Sequence, residues 1–122
     1  MGSDVVNFAE KLSRIPEQWS PRVVAEMNDY QFKLVKLQGE FVWHRHAYTD
    51  EVFIVVKGVL QIGMRDREVS VHEGEMFVVS RGVEHITRAA EECHALIIEP
   101  RGVRNTGDNP ASELTAENDV WV

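Results

Sequence analysis

The stretch Gly39–Glu51, with the sequence GEFVWHRHAYTDE, places two imidazoles and a carboxylate within eight residues of one another. Successive side chains of an extended chain point to opposite faces, so His44 and His46 project to one side and Arg45 to the other. Imidazole nitrogens and carboxylate oxygens at this spacing are typical of metal sites. The stretch therefore predicts a strand that directs two nitrogen donors into one cavity.

A second segment, Gly74–His85, supplies a third imidazole. It reads GEMFVVSRGVEH, which indicates a strand, then a turn that Gly82 bounds, and then His85. The two segments together provide three imidazoles and one carboxylate.

Both segments resemble the paired motifs of the cupin superfamily. The first motif is Gly, His-any-His, four residues, Glu, six residues, Gly, and here it falls on Gly39, His44, His46, Glu51 and Gly58. The gap between its first Gly and its first His is one residue shorter here than in the usual motif.

The second motif is Gly, five residues, Pro-any-Gly, two residues, His, and it matches Gly74, Gly82 and His85. Ser80 stands where the family usually has Pro, and Ala89 stands where this motif often ends in Asn. Ser80 reduces the rigidity of the turn but removes no ligand, because Pro only fixes the backbone there.

The resemblance implies one bound divalent transition metal, which is Fe, Mn, Ni, Co, Cu or Zn. The implied ligands are His44, His46, Glu51 and His85. Such a set leaves one or two coordination positions for water or substrate. The alternative is a barrel in which the histidines are only hydrogen-bonded, since some cupins have lost the metal and kept the fold.

The periodicity of the chain predicts an all-β fold with a short N-terminal helix. Spacings of three and four between apolar residues indicate a helix from Asp4 to Ile15, with Ser3 or Asp4 as its N-cap and Pro16 after its end. Eight antiparallel strands are predicted, which suits the jelly-roll barrel of cupins. They are Arg22–Met27, Tyr30–Gln38, Phe41–His46, Glu51–Val56, Val59–Arg65, Glu68–Val71, Met76–Val79 and Cys93–Ile98.

The predicted organisation has three parts: an N-terminal helix and arm in residues 1–20, the barrel in 21–100, and an acidic, partly mobile C-terminal tail in 101–122. Two segments of the barrel, Val52–Val56 and Leu96–Ile98, are apolar on both faces, which a solvated outer wall does not require. Either the N-terminal helix or a second copy is expected to cover them. Small cupins commonly pair through their sheets, so the resemblance implies a homodimer.

Length and charge limit the possible partners. A chain of 122 residues with a formal charge of -7 suits one domain and argues against binding a phosphate backbone. It has no apolar run of about twenty residues and no signal-peptide pattern, so neither a membrane span nor secretion is expected. The single cysteine, Cys93, cannot form an internal disulfide, which fits a reducing, cytoplasmic location.

Several polar residues compete for a functional role. His72 and His94 are expected to be solvated or structural, and Cys93 is expected to be a small buried residue without a neighbouring base. Three arginines near the motifs could bind an acidic substrate, but ion pairing is the favoured interpretation. They are Arg45, Arg81 and Arg88.

Two classes of function remain after these considerations. The first is a metal-dependent enzyme for a small molecule, of dioxygenase or isomerase type; similar short chains are often labelled mannose-6-phosphate-isomerase-like. An isomerase would need a separate proton-transfer base, and the sequence shows no clear candidate. The second class is a non-catalytic module that binds or senses a small ligand.

Overall fold

A computed structural model describes residues 4–110 and 112–122. In this part of the chain there are one helix and seven strands. They are α1 (Phe8–Leu12), β1 (Arg22–Met27), β2 (Tyr30–Glu40), β3 (Glu51–Lys57), β4 (Val59–Met64), β5 (Glu68–His72), β6 (Met76–Val79) and β7 (His85–Pro100). The named strands pair only in antiparallel fashion, so the predicted all-β class is confirmed.

Strand β7 is the centre of the sheet. The strand order is β1-β2-β7-β3-β6, and β4 pairs with both β5 and β7. Within residues 88–100, the 16-residue β7 pairs with β2 along one edge. On the other edge, its first part pairs with β4 and its later part with β3. One strand thus runs from the second motif to the far side of the barrel.

Two strand predictions were wrong. Residues 41–46 form no strand; they contact β7 through one isolated bridge between His44 and His85, and the Phe41 amide donates to the Thr87 carbonyl. The predicted strand Cys93–Ile98 begins much earlier, at His85. Its first half contains a charged run that hides the alternation of apolar residues, so the sequence pattern did not reveal it.

The interior of the barrel is filled by alternate residues of the strands. Odd-numbered positions on β2, β3 and β7 share the inner face, as period-two alternation requires. The buried members of this core are Val35, Leu37, Phe53, Val55, Leu60, Ile62, Val71, Val79, Ala89, Cys93, Ala95 and Ile97. Burying each large side chain contributes roughly 1.5–3 kcal/mol, so this layer fixes the frame that holds the site.

The outer face of the sheet is covered in part by α1. The helix is shorter than predicted, and its N-cap is Asn7, whose side chain accepts a hydrogen bond from the Glu10 amide over 3.0 Å. The prediction of Asp4 as the cap was therefore wrong, and Ser3 lies outside the described residues. Leu12 and Ile15 pack on a second apolar cluster of the outer face, which confirms the predicted cover. That cluster also contains Val24, Leu34 and Leu96.

The segment after β7 lies against the first motif. The Arg45 amide donates to Asp108 over 2.9 Å, and the Asn109 amide group donates to the Trp43 carbonyl over 3.0 Å. Gly107 has a positive φ of 56°, and a Cβ there would collide with the Arg45 carbonyl. The predicted boundaries of the three parts, and the partial mobility of residues 101–122, stay predictions. No helix among the described residues is long and apolar enough to cross a membrane.

Candidate metal centre

His44 and His85 are held opposite each other by two backbone hydrogen bonds. The His44 amide donates to the His85 carbonyl over 3.0 Å, and the His85 amide donates to the His44 carbonyl over 2.9 Å. This antiparallel bridge sets the two side chains on one face, with ring centroids 4.3 Å apart. The two motifs therefore meet at these residues.

His46 lies on the same side as His44. Both are buried, at 7% and 3% exposure, whereas Arg45 between them is exposed. The ring centroids of His44 and His46 are 5.1 Å apart. The Gly82 amide donates to the His46 carbonyl over 2.8 Å, so the turn of the second motif holds the first. The predicted common orientation is confirmed, although the segment is not a strand.

Glu51 completes the group from the start of β3. Its Oε1 is 3.4 Å from Nε2 of His46 and 3.4 Å from Nε2 of His85. One ligand atom from each of the four predicted residues, including His44, lies within 4.8 Å of the others. The neighbouring Asp50 instead accepts a hydrogen bond from the Arg81 amide over 2.8 Å, away from this group.

Backbone carbonyls fix the tautomers of two histidines. Nδ1 of His44 is 2.8 Å from the Val42 carbonyl, and Nδ1 of His85 is 3.0 Å from the Val83 carbonyl. A carbonyl oxygen can only accept, so each Nδ1 carries the proton and each Nε2 has a free lone pair. This second hydrogen bond is the usual support of a metal-binding imidazole.

The centre of the group contains polar atoms that no protein group satisfies. In the described part of the chain, His46 Nε2, Glu51 Oε1 and His85 Nε2 are buried without a hydrogen-bond partner. Leaving such an atom unpaired costs about 1–3 kcal/mol, and native proteins rarely do so. A divalent cation would satisfy all three at once, so the residues present fit a metal ion.

Burial sets the protonation state that a metal requires. Desolvation first, and then the neighbouring His85, lower the pKa of His44 to about 4, so its imidazole is neutral at pH 7. Burial tends to raise the pKa of Glu51, but its contacts with His46 and His85 outweigh this effect and lower it below the usual value. Glu51 is therefore an anion, and the imidazole of His44 is neutral.

The sequence of residues 33–99 matches the cupin domain family. The chain belongs to the cupin family. Over 98 residues it is 30% identical to an uncharacterized protein, YdbB, of Bacillus subtilis, and the match covers 80% of this cupin and 87% of YdbB.

Several solved structures are similar to this chain. A cupin-2 domain protein of Shewanella frigidimarina is 62% identical with a TM-score of 0.78, and the match covers 80% of this chain and 95% of that one. Protein NMB1881 of Neisseria meningitidis is 35% identical, with a TM-score of 0.73 and coverage of 80% and 99%. The hydroquinone 1,2-dioxygenase PnpCD, in complex with Cd2+ and 4-hydroxybenzonitrile, is 16% identical, with a TM-score of 0.66 and coverage of 79% and 72%. At that identity the similarity shows the fold alone.

Sequence reasoning missed a buried ion pair beside the candidate metal centre of this cupin. Lys33 Nζ is 2.9 Å from Glu99 Oε2, and their side chains are only 6% and 2% exposed. Glu99 directly follows Leu96–Ile98, so it looked like the polar end of a strand. One signal was available in the sequence. Lys33 and Glu99 are odd-numbered, and the odd-numbered residues of these strands, such as Val35 and Ile97, face inward.

Glu99 and Glu51 are buried neighbours on adjacent strands. Val52 pairs with Ile98, which places the two carboxylates opposite each other across β3 and β7. Burial first, and then the charge of Glu51, raise the pKa of Glu99 well above its usual value, although Lys33 acts in the other direction. Two negative charges at facing positions of neighbouring strands are destabilising, and Lys33 balances the charge of only one carboxylate. A cation bound by Glu51 would balance the second.

A small cavity of about 30 Å³ lies on the inner side of the group. His44, Glu51 and Glu99 line it, and Trp19 stacks on Phe41 at 4.8 Å beside them. The remaining lining residues are Pro21, Val35, Leu37, Phe53, Thr87, Ile97 and Asn105. About two water molecules fit in this volume, so a ligand would have to be small or displace the lining. On the other side, His46 borders an open depression of about 290 Å³.

The other candidate residues lie outside the centre. The side chain of His72 is 61% exposed and pairs with Glu75, and His94 pairs with Glu92 over 2.9 Å. Cys93 is fully buried in the core, and burial raises the pKa of its thiol to about 11, so it is not a nucleophile at neutral pH. These observations confirm the structural roles expected for the three residues.

The arginines near the motifs are ion-paired, as expected. They form the pairs Arg45–Asp108, Arg81–Asp50, Arg88–Glu40 and Arg88–Glu68. Trp43 points away from the cavity and packs under Arg65, whose guanidinium carbon is 3.8 Å from the ring centroid. The surroundings of the metal centre therefore offer no obvious free cation for an acidic substrate among these three arginines.

Proposed function

We propose that this cupin binds one divalent transition-metal ion through His44, His46, Glu51 and His85 and acts on a small oxygen-containing molecule. The observation that carries the proposal is the convergence of buried, unpaired ligand atoms, with the imidazole lone pairs already oriented by backbone carbonyls. Burying these ligand atoms without a partner costs free energy, whereas coordination of a cation makes their burial favourable.

A bound ion would supply Lewis acidity, polarising an oxygen atom of a ligand. The protein itself supplies three further contributions. Its histidine Nδ1 protons, held by Val42 and Val83, keep the rings in place. Apolar walls formed by residues such as Phe53 and Ile97 limit the access of water. Glu99 presents a carboxylate oxygen to the same cavity.

Dioxygenase-type chemistry is the simpler of the two proposed reactions, because it needs only the ion and an anchored substrate. The similarity in fold to a hydroquinone 1,2-dioxygenase is compatible with it but does not transfer that reaction. Isomerase-type chemistry also needs a group that moves a proton. Glu99 is the residue of this cavity whose position suits that role, which the sequence alone did not reveal.

The second candidate function is non-catalytic binding of a small ligand, as a sensor or accessory module. The observation that favours it is the cavity volume of about 30 Å³, which is small for an organic substrate. Turnover distinguishes the two functions. An enzyme consumes a candidate substrate and loses turnover in His46→Ala, whereas a binding module shows affinity without consumption.

The first experiment is elemental analysis of tag-free protein purified without chelator. Near-stoichiometric metal is expected in the wild type and in His72→Ala, whose exposed side chain lies outside the centre. The double variant His44→Ala, His46→Ala should lose the metal while keeping its β-sheet circular dichroism. Absence of metal from the wild type, even after reconstitution with each of the six ions, would refute the proposal.

A homodimer in the cytoplasm completes the proposal. Met76 and Val78 on β6 are 59% and 43% exposed, beside the half-buried Val52 and Ile98 of the outer face. A second copy packed on this face would bury them. Sedimentation should give twice the monomer mass for the wild type and the monomer mass for Val78→Glu.

The net charge of -7 supports partners other than nucleic acid.

A further inference from the structure

We propose that Glu99, backed by Lys33, is a positioning residue for the ligand of the metal centre and selects small molecules with vicinal oxygen groups. One oxygen of such a ligand, deprotonated, would bind the ion, and the adjacent hydroxyl would donate a hydrogen bond to Glu99 Oε1. α-Hydroxy acids have this chemistry. This inference rests on the proposed function, because it requires the ion.

The free oxygen of Glu99 is the first support. Its Oε2 is occupied by Lys33 at 2.9 Å, whereas Oε1 is buried and has no partner within residues 4–110 and 112–122. The Glu99 side chain is 2% exposed and lines the cavity that His44 and Glu51 also line. A buried carboxylate oxygen rarely lacks a partner, so Oε1 is available to a donor that is not part of the protein.

The position of Glu99 relative to the metal ligands is the second support. Glu99 is not part of the group of four whose ligand atoms lie within 4.8 Å, but it is the cross-strand neighbour of Glu51. It therefore lies one step away from the ion, where it can contact a ligand of the ion. A molecule with two adjacent oxygens can reach both positions at once.

Charge and cavity composition narrow the class of ligand. A divalent ion bound by the Glu51 carboxylate carries one net positive charge, so the centre favours a monoanion. No Lys or Arg is among the described residues that line the cavity, so a phosphate group would be left without a partner. The cavity of about 30 Å³ holds about two waters, whose places the two ligand oxygens would take.

The test compares glycolate with acetate on Co2+-loaded protein. The two probes share a carboxylate, and only glycolate has the adjacent hydroxyl. Binding is followed by the change in the visible absorption of Co2+, and the quantity compared between proteins is the ratio of the two dissociation constants. Loss of a charge-assisted hydrogen bond raises a dissociation constant by a factor of about ten or more. The ratio of the two dissociation constants should therefore change by that factor when Glu99 is removed.

Two variants and one control separate ligand contact from structural support. Lys33→Met with Glu99→Met removes the buried pair without leaving an unpaired charge, and Glu99→Gln keeps the shape and an acceptor but removes the charge. His72→Gln changes an exposed polar side chain outside the cavity and serves as the control. Thermal unfolding and Co2+ affinity are measured for every protein.

The expected result is a preference for glycolate that falls about tenfold in the double variant, falls less in Glu99→Gln, and is unchanged in His72→Gln, with similar Co2+ affinity throughout. An unchanged preference in both Glu99 variants would overturn the inference and leave Lys33–Glu99 as a structural ion pair. If the double variant does not fold, Glu99→Gln decides in the same way. Failure of wild-type protein to bind Co2+ or any of the other five ions would instead refute the proposed function itself.

Discussion

Acidification is expected to destabilise the metal-free protein through His44. Burial and the neighbouring His85 lower the pKa of His44 from 6.5 to about 4. The unfolded chain therefore binds a proton on this residue below pH 6.5, whereas the folded chain leaves it neutral down to about pH 4. Unfolding takes up a proton in this window, so the free energy of unfolding falls as the pH falls.

The size of the effect follows from the shift. One pKa unit corresponds to about 1.4 kcal/mol, so His44 alone should remove about 2 kcal/mol of stability between pH 7 and pH 5. The full loss, reached below the folded pKa of about 4, is about 3 kcal/mol. The comparison of pH 7 with pH 5 is preferable because ordinary carboxylates remain ionised there.

Urea unfolding of chelator-treated, dialysed protein at the two pH values measures this loss. The difference between the two pH values is compared within each protein, so any general destabilisation by the substitution cancels. His44→Gln should lose about 2 kcal/mol less on acidification than the wild type. His72→Gln, which changes an exposed side chain, should behave as the wild type. If His44→Gln retains the full loss, the idea that His44 is held neutral by burial is refuted.

Three further predictions concern other parts of the fold. Lys33→Met leaves the Glu99 carboxylate buried without its cation and should lower the free energy of unfolding by about 3 kcal/mol in urea titrations. Adding Glu99→Met should recover most of this stability. Equal losses in the single and the double variant would contradict the prediction. Gly107→Ala should weaken Co2+ binding about tenfold in a competition titration, because its Cβ would collide with the Arg45 carbonyl. Gly102→Ala is the control, since Gly102 also has a positive φ but lies in open space, and it should leave Co2+ binding unchanged. Burial raises the pKa of the Cys93 thiol to about 11. A disulfide reagent at about pH 8 should therefore label Cys93 only as fast as the protein opens. Rapid labelling of the native protein would contradict the burial of this residue.

Local patterns predicted most of the fold. The bounds of β1 and β6 agree with the prediction to the residue, because charged or turn residues flank short apolar runs there. The four proposed ligands were found by their spacing, since a motif preserves local geometry. The start of β7 was missed because its partners, β2 and β4, are distant in sequence. Pairing with distant strands overrides the local preference of a charged run.

The ion pair of Lys33 and Glu99 was missed for a different reason. Charged residues near the ends of apolar strands are usually solvated, and the sequence does not tell which end of a barrel is closed. Asn105 lines the cavity beside Glu99, and residues 116–119 border Lys33, so segments distant in sequence lie at this end. The second carboxylate of the cavity therefore depends on contacts that no local pattern contains.

Residues 107–109 support the segment that carries His44 and His46, yet they are synthesised about sixty residues after it. During translation the chain leaves the ribosome from its N-terminus, so the first motif lacks the contacts of Asp108 and Asn109 until residue 109 has emerged. His85 arrives in the interval, and its bridge to His44 closes a loop of about forty residues. The proposed centre thus reaches its full support only after the second motif and residues 107–109 have both emerged.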